Sequence, residues 1–197
     1  MNIKKSLLLV GLTTFGSIPL SGTAEATTLH GYIDSPPSRA LLCAKLTNKN
    51  CGPVMYEPQS VEGSKGFPQS GPPDGNIASG GVSQFNQLNE QSADRWHHVA
   101  INKGTNTFSW TLTALHSTTS WQFFITKPDW DPNKPLTRAQ FDLNPFCERF
   151  DDGKKPSQNV SLTCDVPERS GYHVILGTWT IADTNNAFYQ VIDADIK

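Results

Sequence analysis

Five histidines mark where this chain could do chemistry: His30, His97, His98, His116 and His173. A histidine at the start of a mature chain is a special ligand. It offers its α-amino nitrogen and its ring Nδ1 together, and the two close a chelate ring on one metal ion. The α-amine has a reference pKa of about 8, so its neutral, metal-binding form is accessible near neutral pH. His30 follows a stretch that reads as a leader, which makes it the candidate for that role. A second imidazole would complete a set of three nitrogens. Such a set suits copper, by its nitrogen-rich tetragonal preference and its high place in the affinity order. His116 is the candidate, because it lies just past an alternating segment, at a strand-to-loop junction. His173 reads as a structural residue within a strand, and His97 and His98 as exposed polar loop residues.

The elements that must position these residues begin after the leader. Lys4 and Lys5 precede the mostly apolar run Ser6 to Leu20, and small residues follow up to Ala26. This order of charged, apolar and small residues is that of a secretory signal peptide with an A-x-A site. Residues 1–29 are therefore expected to be signal peptide and residual leader, and residues 30–197 one exported, secreted domain. No later segment is apolar for long enough to cross a bilayer. The formal net charge is −2 and there is no basic run, which argues against nucleic acid or a membrane surface as partner. A monomer is expected. Four cysteines, Cys43, Cys51, Cys147 and Cys164, read as two disulfides in an exported chain, with three possible connectivities. Their spacing pairs them as Cys43–Cys51 and Cys147–Cys164, each closing a local loop.

Residues 30–100 are rich in Gly, Pro, Ser, Asn and Gln and keep no sustained period, as in a long ordered loop region. The second half reads as strands. Residues 106–112 alternate polar and apolar side chains, 120–125 form a second strand, 172–181 a third that is apolar on both faces, and 187–196 a fourth. The expected fold class is all-β: a single immunoglobulin/fibronectin-like β-sandwich. The region around 54–95 is expected to protrude as a partly helical loop carrying Tyr56 to Glu62.

Several local sequences recur together in order. They are His30-Gly31-Tyr32-Ile33, Tyr56-Glu57-Pro58-Gln59-Ser60-Val61-Glu62-Gly63, Ala114-Leu115-His116-Ser117-Thr118-Thr119-Ser120-Trp121, and Asn186-Ala187-Phe188-Tyr189-Gln190, with Trp179 and Asp183 between the last two. In these the chain closely resembles the bacterial chitin-active lytic polysaccharide monooxygenases, the chitin-binding proteins of auxiliary activity family ten, over essentially all of residues 30–197. The resemblance implies a copper brace made by the His30 amine, the His30 ring and the His116 ring. It implies an apolar axial side shaped by Phe188 and the small Ala114, and an acid, Glu62, beside the copper that handles protons. Tyr56, Glu57, Asp183 and Asn186 are implied as a flat contact surface for crystalline chitin. An external electron donor and dioxygen or hydrogen peroxide are the implied co-reactants, and oxidation at C1 the implied outcome. The competing reading is a secreted, non-catalytic chitin-binding or adhesion protein.

Other signals carry less. Glu57 and Glu62 could form a glycosidase acid/base pair, but they sit on one loop and sequence gives no separation. Asp129-Trp130-Asp131 lacks the ligand ladder and turn glycine of a calcium loop. One conflict stands between motif and rule. The A-x-A rule cuts after Ala26 and leaves Thr27-Thr28-Leu29 ahead of His30, whereas the brace requires a cut after Leu29. The functional protein is expected to begin at His30, by direct cleavage or by trimming. N-terminal sequencing of natively secreted protein checks this, and a terminus at Thr27 with no trimmed form would contradict it.

Overall fold

A computed structural model describes residues 30–197; the leader, with the expected cleavage sites, lies outside the described residues. Among the described residues, nine strands and one short α-helix follow in order. They are β1 (Gly31–Ser35), α1 (Arg39–Ala44), β2 (Glu62–Ser64), β3 (Val99–Ile101), β4 (Gly104–Leu112), β5 (Thr118–Ile125), β6 (Cys147–Lys154), β7 (Asn159–Val166), β8 (Gly171–Ile181) and β9 (Asn186–Ile196). The strands make two sheets. The smaller runs β1-β4-β7. The larger runs β2-β9-β8-β5-β6, with β3 added in parallel to the far end of β9. The β-sandwich expected from the alternating segments is thus present.

The patterning of each strand follows from what covers it. β7 alternates exposed and buried residues, because one face meets the other sheet and one meets water. β8 is buried along nearly its whole length. Its inner face, with β5 and β9, sets Trp121, Phe123, Ile175, Trp179 and Phe188 against Ile33, Phe108 and Trp110 of the smaller sheet. Its outer face is covered as well. Val174 and Leu176 of β8, with Tyr189 and Val191 of β9, pack under Val54, Val61, Phe67, Ile77, Phe85, Leu88 and Trp96. The Gly- and Pro-rich region is therefore a third layer with its own core rather than a bare protrusion. It is partly helical, through short 3-10 segments at Gly52–Met55, Pro58–Ser60 and Ser83–Asn89.

Both expected disulfides are present. Cys43–Cys51 ties α1 to the first 3-10 segment. Cys147–Cys164 does more than close a loop: it joins β6, at the edge of the larger sheet, to β7, at the edge of the smaller one. The other clamp on the third layer is electrostatic. Arg39 donates from Nε to Asp193 Oδ2 at 2.9 Å and from Nη1 to the Leu88 carbonyl at 2.7 Å, and Tyr172 donates to Asp193 Oδ1 at 2.7 Å. Both members of the ion pair are 0% exposed. Without Asp193 the buried guanidinium would keep only neutral partners, the Leu88 carbonyl and Gln91 Oε1, and no counter-charge. Asp193→Ala should therefore cost about 3–5 kcal/mol. Chemical denaturation checks this, and a loss under 1 kcal/mol would show that the guanidinium finds water or another partner.

Candidate functional site

Strand register collects the site at one pole of the sandwich. Gly31 pairs with Leu112, so His30, just before β1, lies beside the loop that follows β4. Thr118 pairs with Ile181 and Thr180 with Ala187, which brings the start of β5 and the turn between β8 and β9 to the same pole. Glu62 pairs with Phe188 and delivers a carboxylate there.

Backbone hydrogen bonds fix His30 onto the segment that carries His116. The His30 carbonyl accepts from Thr113 N at 2.7 Å, from Ala114 N at 3.2 Å and from Thr113 Oγ1 at 3.0 Å. Gly31 makes the close approach possible. A Cβ there would lie 2.6 Å from Leu112 Cδ2 and 3.1 Å from the Trp179 ring.

Behind the two imidazoles lies an aromatic layer. The Phe188 ring centroid is 5.6 Å from that of His30 and 6.1 Å from that of His116, and Trp179 is 5.7 Å from His116. Phe188 and Trp179 are fully buried and stack at 4.8 Å, and Trp179 stacks in turn on Trp121 at 5.0 Å. Trp179 Nε1 donates to Thr118 Oγ1 at 2.8 Å, and that hydroxyl donates to the His116 carbonyl at 3.1 Å. One indole thus holds the backbone at His116 through a single threonine.

The remaining side is polar. Asn186 Nδ2 donates to Glu62 Oε1 at 2.9 Å, and Glu62 Oε2 stands 3.9 Å from His30 Nδ1. Glu62 opens strand β2 rather than sitting on a free loop, which corrects the expectation from sequence. The physical reason is Gly63: a Cβ there would fall 1.8 Å from the Gly80 carbonyl oxygen, so glycine lets two backbones close on each other and the chain run alongside β9. Tyr56 is 81% exposed. Glu57 bears electrostatically on His30, so it belongs to the same pole. Asp183 is exposed on the β8–β9 turn, and Ala114 is half-buried beside His116.

The structure therefore brings His30, His116, Ala114, Glu62, Phe188, Glu57, Asp183 and Asn186 to one end. His97 is exposed as expected, but His98 is not: its ring stacks on Tyr172 with centroids 3.8 Å apart. The apolar face of Tyr172 is worth covering, and sequence gave no sign of it. His173 is buried in β8, with Nδ1 2.9 Å from Thr126 Oγ1. Sequence reasoning missed Thr113 and Thr118, whose roles rest on contacts to a distant carbonyl and a distant indole.

Among the described residues no group of three or more His, Cys, Asp and Glu side chains is placed to hold a metal ion. Two imidazoles need a third nitrogen from the backbone. His30 Nδ1 is buried and has no hydrogen-bond partner among the described residues, the state of a ring nitrogen kept for a ligand.

The chain is similar to known proteins. A family profile described as lytic polysaccharide mono-oxygenase, cellulose-degrading, matches residues 30–194. GlcNAc-binding protein A of Photobacterium profundum is 49% identical over 201 residues, which cover 96% of this chain and 40% of that protein. That of Shewanella oneidensis is 49% identical over 193 residues, covering 98% and 40%. The chain spans about two-fifths of the length of these curated relatives. An AA10 lytic polysaccharide monooxygenase from Photorhabdus luminescens superposes with a TM-score of 0.84 at 55% identity, covering 85% of this chain and 99% of that one. A Bacillus amyloliquefaciens CBM33 protein in complex with Cu(I) does so with a TM-score of 0.79 at 46% identity, covering 85% and 100%. The chain belongs to the lytic polysaccharide monooxygenase family, in its auxiliary activity branch ten.

Burial pushes the His30 ring below its usual 6.5, the neighbouring His116 adds to this, and the carboxylates Glu62 and Glu57 oppose it. This direction favours the neutral ring, the form of an imidazole that binds metal. Removing the Glu62 charge removes a raising influence. NMR titration of the metal-free protein should place His30 below 6.5, and Glu62→Gln should lower it further; an upward move would show that Glu62 does not act on His30 through its charge.

Proposed function

We propose that residues 30–197 form a secreted, copper-dependent monooxygenase domain that begins at His30 once processed, binds crystalline chitin and cleaves its glycosidic bonds by oxidation at C1. The observation that carries the reading is the buried His30 Nδ1, which has no hydrogen-bond partner among the described residues and is set with His116 over one phenylalanine ring. The His30 ring, the His116 ring and the freed His30 amine would hold the ion, and the neutral imidazole favoured at His30 is the form that binds metal. When bound, the copper would supply one-electron redox chemistry, drawing on an external electron donor and on dioxygen or hydrogen peroxide.

The chain's own residues do the rest. Phe188 places an apolar ring beside both imidazoles and offers no ligand there. Ala114 is small enough to leave room beside His116. Glu62 holds or passes a proton at Oε2, since Asn186 occupies Oε1. Tyr56 lays an exposed ring on a sugar face, and Glu57, Asp183 and Asn186 hydrogen-bond hydroxyl and acetamido groups. The GlcNAc-binding names of the relatives favour chitin, a polymer of that sugar, over the cellulose in the family description. Those same names also favour the second reading, a binding protein without catalysis.

Mass spectrometry of products from β-chitin with copper and a reductant separates the two. Aldonic-acid oligosaccharides are expected; firm binding with no soluble product would leave the binding protein. His116→Ala should abolish copper-dependent turnover with the fold intact. Glu62→Gln should keep copper but slow turnover by about 10²–10⁴-fold, the range for a lost acid–base group. Tyr56→Ala should weaken chitin binding about tenfold while copper affinity holds, as for loss of an exposed aromatic anchor.

A further inference from the structure

The turn between β8 and β9 carries Asp183 and leads into Asn186, yet little apolar surface holds it down: Ala182, Asp183 and Asn185 are exposed. What holds it is polar. Ala182 N donates to the Ser117 carbonyl at 2.7 Å, which ties the turn to the loop of His116. On the opposite side stands Lys65, one residue past β2. Its backbone N donates to the Asn185 carbonyl at 3.0 Å. Its Nζ donates to the Ile181 carbonyl at 3.2 Å and also to the Thr184 carbonyl. One lysine thus engages three carbonyls at this turn, that of Asn185 through its backbone and those of Ile181 and Thr184 through its half-buried side chain.

Carbonyls converging in this way repel one another unless a donor sits between them. Lys65 supplies a tethered, charged one, and hydrogen bonds from a charged donor are stronger than neutral ones. The tether starts beside β2, and β2 carries Glu62. Ser64 is in register with Asn186, and Asn186 Nδ2 holds Glu62 Oε1 at 2.9 Å. Both ends of the Glu62–Asn186 hydrogen bond are thus fastened by the same residue, one through the strand and one through the turn.

We propose that Lys65 is a positioning residue for the substrate-facing turn: its ammonium gathers the Ile181 and Thr184 carbonyls and so sets Asp183 and Asn186 for contact with polysaccharide. The contact itself rests on the function proposed above; the positioning does not. Lys65→Met keeps the aliphatic stem and removes the donors. Lys65→Arg keeps the charge and the donors.

The test has two arms. In the first, NMR on the metal-free protein without polysaccharide reads hydrogen exchange at the Ala182 and Asn186 amides and the side-chain amide signal of Asn186. Lys65→Met should speed exchange about tenfold and move the Asn186 side-chain signal, the size expected when one charged hydrogen-bond donor is lost, and Lys65→Arg should restore both. In the second, affinity for β-chitin is measured for Lys65→Met in the wild-type chain and in a chain already carrying Asp183→Ala and Asn186→Ala. A loss of about tenfold in the first background and none in the second is expected of a residue that acts through those two. Unchanged exchange with an unmoved Asn186 signal would overturn the proposal, and so would an affinity loss that is as large in the second background. If the wild-type protein binds no chitin, the function proposed above fails and the NMR arm alone decides the role of Lys65.

Discussion

The carbonyl oxygen of His30 accepts from two backbone amides and one hydroxyl of Thr113 and Ala114, and the geometry of the pole depends on that grip. Thr113 lies 83 residues further along the chain. The bonds continue the β1–β4 ladder by one step beyond Gly31 and Leu112, so the sheet itself carries His30 to the loop of His116. Neither imidazole needs a long, flexible reach. Each is placed by backbone, which leaves little conformational entropy to lose when a ligand binds.

The aromatic layer beneath completes the constraint. Phe188, Trp179 and Trp121 form a stacked series through the core between the sheets, and it floors the imidazole pair. Buried indoles need partners for their N–H groups. Trp179 finds Thr118, and Trp121 finds Asp151 at 2.8 Å. The floor is thus apolar where it meets the histidines and hydrogen-bonded at its edges. Beside it, on the strand paired with Phe188, Glu62 and its partner Asn186 supply the polar side of the pole. The division suits the function proposed above, in which Glu62 on that flank would handle protons.

Much of this was legible in the sequence, for definite reasons. β4, β8 and β9 announced themselves by period or by continuous apolar runs, since their burial leaves a pattern in residue type. β6 did not: Cys147–Lys154 is a mostly polar edge strand with five of its eight residues exposed, and its pairing with β5 is made by backbone. β7 alternates cleanly in the structure, but its inward residues are few and lie between polar segments, so its period is weak in the sequence. The site residues were legible chiefly as motifs. The contacts that orient them were not, because Asn186 to Glu62 spans 124 positions and Lys65 to Thr184 spans 119, and no local pattern encodes a partner at such range. The third layer was legible only as composition. Its Gly and Pro content marked irregular backbone, while its apolar residues, spaced without period, hid a second core.

The central claim is that the copper site is completed by the His30 amine, which exists only when the chain starts there. Calorimetric titration of copper into two forms of the protein, one beginning at His30 and one at Thr27, tests this most directly. The form beginning at His30 should bind one ion, with an affinity higher by orders of magnitude than the form in which that nitrogen is a peptide. Equal affinity in the two forms would contradict the account.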